Sequence, residues 1–190
     1  SLSWGCNPSE KTYFETSVFS HAKNRFLWLL ILMLSSTITG TIITQYENAF
    51  AAIPLLVSFI PMLMDTGGNC GSQSSTLIIR GIALGEIRFS DLFRVMFKEF
   101  RVSLIVGVVL ALANGLRILI MYRNAGLALV IGLSLVATVI ISKLIGCLLP
   151  LFAKKLHMDP AIMASPLITT LVDTCSILIY FNIATRIFQL

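Results

Sequence analysis

The chain is short of charge. Asp, Glu, Lys and Arg make up 12% of its 190 residues, while 56% are hydrophobic. A soluble domain carries about 25% charged residues, so an ordinary water-facing surface is excluded. Histidine is scarce, with two residues, and the four cysteines are scattered singly. No CxxC pair or Cys/His cluster occurs, which argues for free thiols and against a zinc site or a disulfide framework. A P-loop, a GxSxG elbow and an HExxH helix are also missing. With no nucleophile–base pair in view, the chain does not read as an enzyme. The opening "SLSWGCNPSEKTYFETSVFSHAKNRF" is polar and mixed and lacks the pattern of a signal peptide.

What the sequence does have is long apolar runs and a mean hydropathy of +0.89. A helix crosses a bilayer with about 20 apolar residues. The runs predict an all-α membrane protein with five spans, over Phe26–Tyr46, Ala51–Ile79, Val102–Tyr122, Gly126–Phe152 and Ala161–Phe188. Residues 1–24 read as a polar segment ahead of the membrane and 25–190 as the membrane domain. "DLFRVMFKEFR" alternates charged and apolar residues at helical spacing, as an interfacial amphipathic helix running into the third span does. Ser90 is placed to cap it.

Basic residues set the orientation. Five spans put ten Lys and Arg residues on one side (11, 23, 25, 80, 88, 94, 98, 101, 154 and 155) and three (117, 123 and 186) on the other. The bias predicts a cytoplasmic N-terminus and an extracellular C-terminus. It also accounts for the net charge of +5 without nucleic acid. If the second span failed to cross, the tally would become six against seven and the bias would vanish.

That second span contains "PMLMDTGGNCGSQSSTLIIR", a polar run inside an apolar helix. Asp65 falls near its middle. A charge there costs roughly 2.5–3.5 kcal/mol on insertion scales, which makes it a functional-site hypothesis. Asp65, Asn69, Ser72 or Gln73, Thr76 and Arg80 share one helical face. Gly67 and Gly71 form a GxxxG pair suited to close backbone approach. With Gly68, Pro54 and Pro61 nearby, the helix is expected to be locally irregular.

The fifth span matches it. Asp173 lies about 20 Å along the helix from Asp159. Ser165, Thr169, Asp173, Ser176 and Tyr180 recur at three- and four-residue steps, and Pro166 frees a carbonyl near Ile162. Lys143 on the fourth span either pairs with one of the aspartates or, the favoured reading, snorkels toward Lys154. Oxygen-only ligands select a hard cation: Mg²⁺, Ca²⁺, Mn²⁺ or a monovalent ion. Mg²⁺ keeps its waters and is held by one or two carboxylates, so one Asp173 from each subunit of a two-fold dimer would match one divalent ion.

At these residues the chain resembles a known family. "PMLMDTGGNCGSQSSTLIIRGIALGEI", "GCLLPLFAKKLHMDPAIMASPLITT" and "LVDTCSILIYF" are similar to the membrane domain of the MgtE family of bacterial magnesium channels, from about Arg25 onward. The resemblance implies a homodimer of five-helix subunits in the plasma membrane. The second and fifth helices would line a pore at or near the subunit interface, passing hydrated Mg²⁺, with Mn²⁺ and Co²⁺ as alternatives. It implies Asp173 as the central ligand, with Thr169 and Ser165 beside it and Gly68, Asn69 and Ser72 on the second helix. Asp65 is added on its own chemistry. Some members carry asparagine where Ser165 and Ser72 stand, so hydroxyl contacts replace amide contacts there. Cytosolic regulatory domains are implied ahead of the membrane part, with Glu10–Asn24 as the stub of their connecting helix. Against the channel stand a Na⁺- or H⁺-coupled carrier and a non-conducting membrane scaffold.

Overall fold

The computed structural model describes residues 12–160 and 165–190, apart from the side chain of Ser165. Among the described residues there is no strand. The described residues form six α-helices in order: α1 (Val18–Gln45), α2 (Glu47–Ala52), α3 (Ile60–Ala83), α4 (Leu92–Tyr122), α5 (Ala125–Lys155) and α6 (Ser165–Ile187). Short 3₁₀ turns at Pro54–Phe59 and Phe89–Asp91 precede α3 and α4.

Local chemistry sets the boundaries. The Ser17 side chain caps α1 by accepting from the Ser20 amide, and Asn124 caps α5 by accepting from Leu127. Only Arg123 and Asn124 separate α4 from α5, with Arg123 in the left-handed region at φ 49°. The two helices therefore form a tight antiparallel hairpin. Past α3, the chain reverses at Gly85, whose φ of 74° suits glycine, and the Glu86 amide donates to the Gly81 carbonyl.

Three expectations about elements are corrected. The predicted continuous helix over Ala51–Ile79 is broken at Ile53 (φ −135°, ψ 84°). Pro54 removes a donor and pushes the residue before it out of the helical region, so α3 starts only at Ile60. Asp65 consequently sits in the second turn of α3 and not at the middle of a long helix. Nor is the glycine segment irregular: α3 runs as α-helix from Ile60 to Ala83, and the irregularity lies upstream at Pro54–Phe59. Finally, Ser90 lies within the 3₁₀ turn and does not cap α4; the Asp91 carboxylate accepts from the Arg88 amide instead.

Among the described residues four segments are long and apolar enough to cross a membrane: Val18–Gln45, Phe89–Tyr122, Ala125–Lys155 and Pro166–Ile187. At 24 residues α3 has the length, about 36 Å, but its polar run keeps it out of that group. In the fold α5 is central, packing against α3, α4 and α6, while α3 also packs on α6 and α1 lies chiefly along α6. One buried cluster (Leu56, Leu63, Leu127, Ile131, Tyr180 and Phe181 among its members) closes the end where α3 begins. A smaller one around Ile78, Cys147 and Leu151 closes the other. Many apolar side chains of α1 and α4 remain exposed, including Leu27, Leu34, Leu112 and Ile120. An acyl-chain solvent accommodates that surface and water does not.

Candidate cation site

The site grows out of how closely α3 and α6 can approach. A Cβ on Gly71 would come within 2.6 Å of Ile168, and one on Gly67 within 2.7 Å of Val172. On the α5 side the backbones themselves touch, since a Cβ on Gly146 would overlap the Gly71 carbonyl oxygen. Glycine at these positions is a packing requirement, the use expected of the GxxxG pair. A Cβ on Gly68, one residue round the helix, would meet Thr169 at 3.4 Å. This register turns the polar face of α3 toward the hydroxyl and carboxylate of α6.

Between them is a cavity of about 510 Å³ lined by Ile60, Pro61, Met64, Asp65, Gly68, Asn69, Ser72, Thr169 and Asp173. Six of the seven residues singled out from the sequence meet there. The seventh, Ser165, starts α6, but its side chain lies outside the described residues, as does the Ile162 carbonyl. Asp65, Asn69, Gln73 and Thr76 are exposed on the flank of the chain, whereas Ser72, Thr169 and Asp173 are half-buried. The Asp65 and Asp173 carboxylates act on each other electrostatically, so the cavity concentrates negative charge. Its polar donors are oxygens and the Asn69 amide, which suits a hard cation. Groups of three or more His, Cys, Asp or Glu able to hold a bare metal do not occur among the described residues. Two acids in a roomy, hydroxyl-lined space suit an ion that keeps its water.

The predicted polar face of α6 is only partly realised. Thr169 and Asp173 reach the cavity, but Ser176 and Tyr180 are buried in the helix bundle. The steps of three and four residues do keep one angular face, but Tyr180 lies about 10 Å farther along the axis than Asp173, past the cavity, and its hydroxyl donates to the Leu56 carbonyl at 2.6 Å. Lys143 neither pairs with an aspartate nor snorkels. It is 5% exposed and acts electrostatically on Cys70. The sequence reading missed Glu99, whose carboxylate accepts from the Ser74 hydroxyl at 2.7 Å. Glu99, Ser103 and Gly107 follow one another at four-residue steps, and that small, polar stripe marks the packed face of α4.

Helices of this apolarity, packed around an acid-bearing polar cavity, define a multi-pass membrane protein. Comparison narrows the class. The family MgtE, described as divalent cation transporter, matches residues 60–183. Over 172 residues the chain is 39% identical to "Magnesium transporter MgtE" of Bacillus subtilis, covering 90% of this chain and 38% of that protein. It is 36% identical over 167 residues to the Thermus thermophilus protein of the same name, covering 87% and 36%. For the Enterococcus faecalis protein the identity is 34% over 164 residues, covering 86% and 36%. The chain belongs to the MgtE family. It spans less than two-fifths of the length of these relatives.

Proposed function

We propose that this chain is the pore-forming part of a Mg²⁺ channel. The observation that carries the reading is the cavity joining Asp65, Gly68, Asn69 and Ser72 of α3 to Thr169 and Asp173 of α6. The relatives' name, magnesium transporter, supplies the cargo.

In this reading α1, α3, α4, α5 and α6 are the five spans. The N-terminus is cytoplasmic and the C-terminus extracellular, in accord with the ten-to-three distribution of basic residues. The exposed polar flank of α3 supports a homodimer. Polar and charged groups at membrane depth must face protein or a water-filled space and not acyl chains. A two-fold partner placed against α3 and α6 covers the flank and brings a second Asp173 to the axis. The hydrated ion then meets carboxylates through its waters, while hydroxyl, amide and carbonyl oxygens take the remaining hydrogen bonds. An inside-negative potential favours entry by about 2.3 kcal/mol per charge per 100 mV, so a 2+ ion needs no other energy source. The assembly sits in the plasma membrane, with cytosolic regulatory domains in the longer protein. The same ligands accept Mn²⁺ and Co²⁺.

The test is Mg²⁺ uptake into proteoliposomes under an imposed potential. Wild type should conduct, and Asp173→Asn should lose at least roughly tenfold of the flux, the effect of removing ~1.4 kcal/mol of ion stabilisation. Unchanged flux in that variant would reject the reading. A rate that follows Na⁺ or pH in place of the potential would replace the channel by a coupled carrier.

A further inference from the structure

Beside the cavity is a second set of oxygens: three hydroxyls that conduction leaves unused and the buried oxygen of Asp173. Ser134 and Thr138 on α5 and Ser176 on α6 are 0%, 1% and 1% exposed. Each of their hydroxyl oxygens is sealed from solvent and has no hydrogen-bond partner, and the same holds for Oδ1 of Asp173. Helical hydroxyls ordinarily bond a carbonyl one turn back, as Ser142 does to Thr138 and Thr170 does to Pro166. Ser134, Thr138 and Ser176 do not.

These groups share one place in the bundle. Ser134 and Thr138 are a turn apart on α5, and Asp173 and Ser176 are a turn apart on α6. Gly67 of α3 touches both helices there: its Cβ position would lie 2.9 Å from Thr138 Cγ2 and 3.0 Å from Ser176 Oγ. Buried polar atoms without partners are unfavourable, and several at one junction call for a ligand. The set is oxygen only, which selects a hard ligand. Its single carboxylate is balanced by one positive charge. A divalent ion would leave net charge in a dry interior, and water would leave the carboxylate uncompensated.

We propose that Asp173, Ser176, Thr138 and Ser134 form a buried site for one dehydrated monovalent cation of the Na⁺ class. The site stands behind Asp173, and the cavity stands in front of it. One carboxylate therefore serves two cations, and each weakens the other's binding by the same factor. Sodium becomes a brake on Mg²⁺ occupancy, applied from within the subunit.

Thermal unfolding of the purified protein in detergent tests this, without divalent ions and with choline chloride holding the ionic strength. A ligand that binds only the folded state raises the midpoint as its concentration rises. NaCl should raise the wild-type midpoint saturably and choline should not. In Thr138→Val and Ser176→Ala the half-saturating Na⁺ should rise by roughly tenfold or more. The Mg²⁺ concentration that half-protects wild type should climb with Na⁺, and in Thr138→Val it should not. Equilibrium binding of radiolabelled Na⁺ to wild type needs no variant, and saturable binding supports the site. No Na⁺ response or binding in wild type overturns the proposal, as does an unchanged response in both variants. Mg²⁺ protection and flux that fail while the Na⁺ response still depends on Thr138 and Ser176 would reject the transport reading and support this one.

Discussion

One face of α3 carries Gly67, Cys70, Gly71, Ser74, Ser75 and Ile78, all buried, while another carries Asp65, Asn69, Gln73 and Thr76, all exposed. Both faces are rich in small or polar residues, yet they do different work. On the buried face the absence of side-chain volume matters, because the α5 backbone and the α6 side chains Ile168 and Val172 pack directly against the α3 glycines. On the exposed face the chemistry matters, because Asp65 and Asn69 bring charge and hydrogen-bonding atoms to the cavity wall. A substitution that adds one methyl to the first face should therefore threaten the fold. One that removes one charge beside the second should threaten transport and spare the fold.

Gly146→Ala probes the first half of this contrast and should have the largest effect on stability. The added Cβ would overlap the Gly71 carbonyl, a backbone atom that cannot rotate away. Overpacking costs about 1–3 kcal/mol where side chains can adjust, and this contact should reach or exceed the top of that range. The measurement is the thermal unfolding midpoint in detergent, alongside the yield of folded protein. A variant as stable as wild type would show that the α3–α5 seam is looser than the geometry requires.

Asp173→Asn probes the second half. The amide is nearly isosteric, so the unfolding midpoint should stay close to wild type while Mg²⁺ uptake falls. Asp65→Asn should do the same more weakly, since Asp65 is exposed near the start of α3 and Asp173 is half-buried in the cavity wall, one turn along α6 from Thr169. Side-by-side flux measurements decide the order. Equal losses from the two variants would make the carboxylates joint ligands, and a larger loss at Asp65 would move the centre of the site toward that end of α3.

The sequence carried much of this because membrane chemistry is restrictive. Asp173, Thr169, Asn69 and Ser72 stood out because polar residues inside apolar spans leave few structural explanations, whereas Gly68 entered through the family resemblance. Helix ends were legible where proline, glycine or a capping side chain sits, as at Asn124 and Gly85. Other features depended on contacts that no single helix encodes. Pro54 was visible, but how far its break would delay the next helix was not. Lys143 has a long aliphatic stem that favours snorkelling over pairing with an aspartate when read from sequence, and only the packing of α3 on α5 shows it buried near Cys70. Ser176 and Tyr180 share the angular face of Thr169 and Asp173, as their spacing says, but spacing does not tell how far along the helix the cavity extends before packing closes it.

Tyr180→Phe should have a smaller effect. It removes the hydroxyl that donates to the Leu56 carbonyl at 2.6 Å and leaves the ring packing against Phe181 in place. The loss should be about 1 kcal/mol, the usual net worth of one hydrogen bond. The bond ties α6 to the 3₁₀ turn ahead of α3, so proteolysis of that turn should quicken by a comparable factor. A silent variant would mean that the turn is held by apolar packing around Leu56 alone.

Gly115→Ala should be smallest and opposite in sign to Gly146→Ala, although the chemical change is identical. Gly115 lies on α4 in an apolar groove of about 550 Å³ between α4 and α5. A Cβ there would meet nothing within 4 Å. With no clash to offset it, the substitution only narrows the backbone freedom of the unfolded chain and improves helix propensity. That should stabilise by ~0.4–1 kcal/mol. The unfolding midpoint should rise slightly and Mg²⁺ uptake should not change, because α4 contributes no residue to the cavity. If Gly115→Ala destabilised the protein as Gly146→Ala is expected to, the groove would have to be occupied in the membrane. Close packing would then extend from the α3–α5–α6 junction to the flank that α4 turns toward lipid.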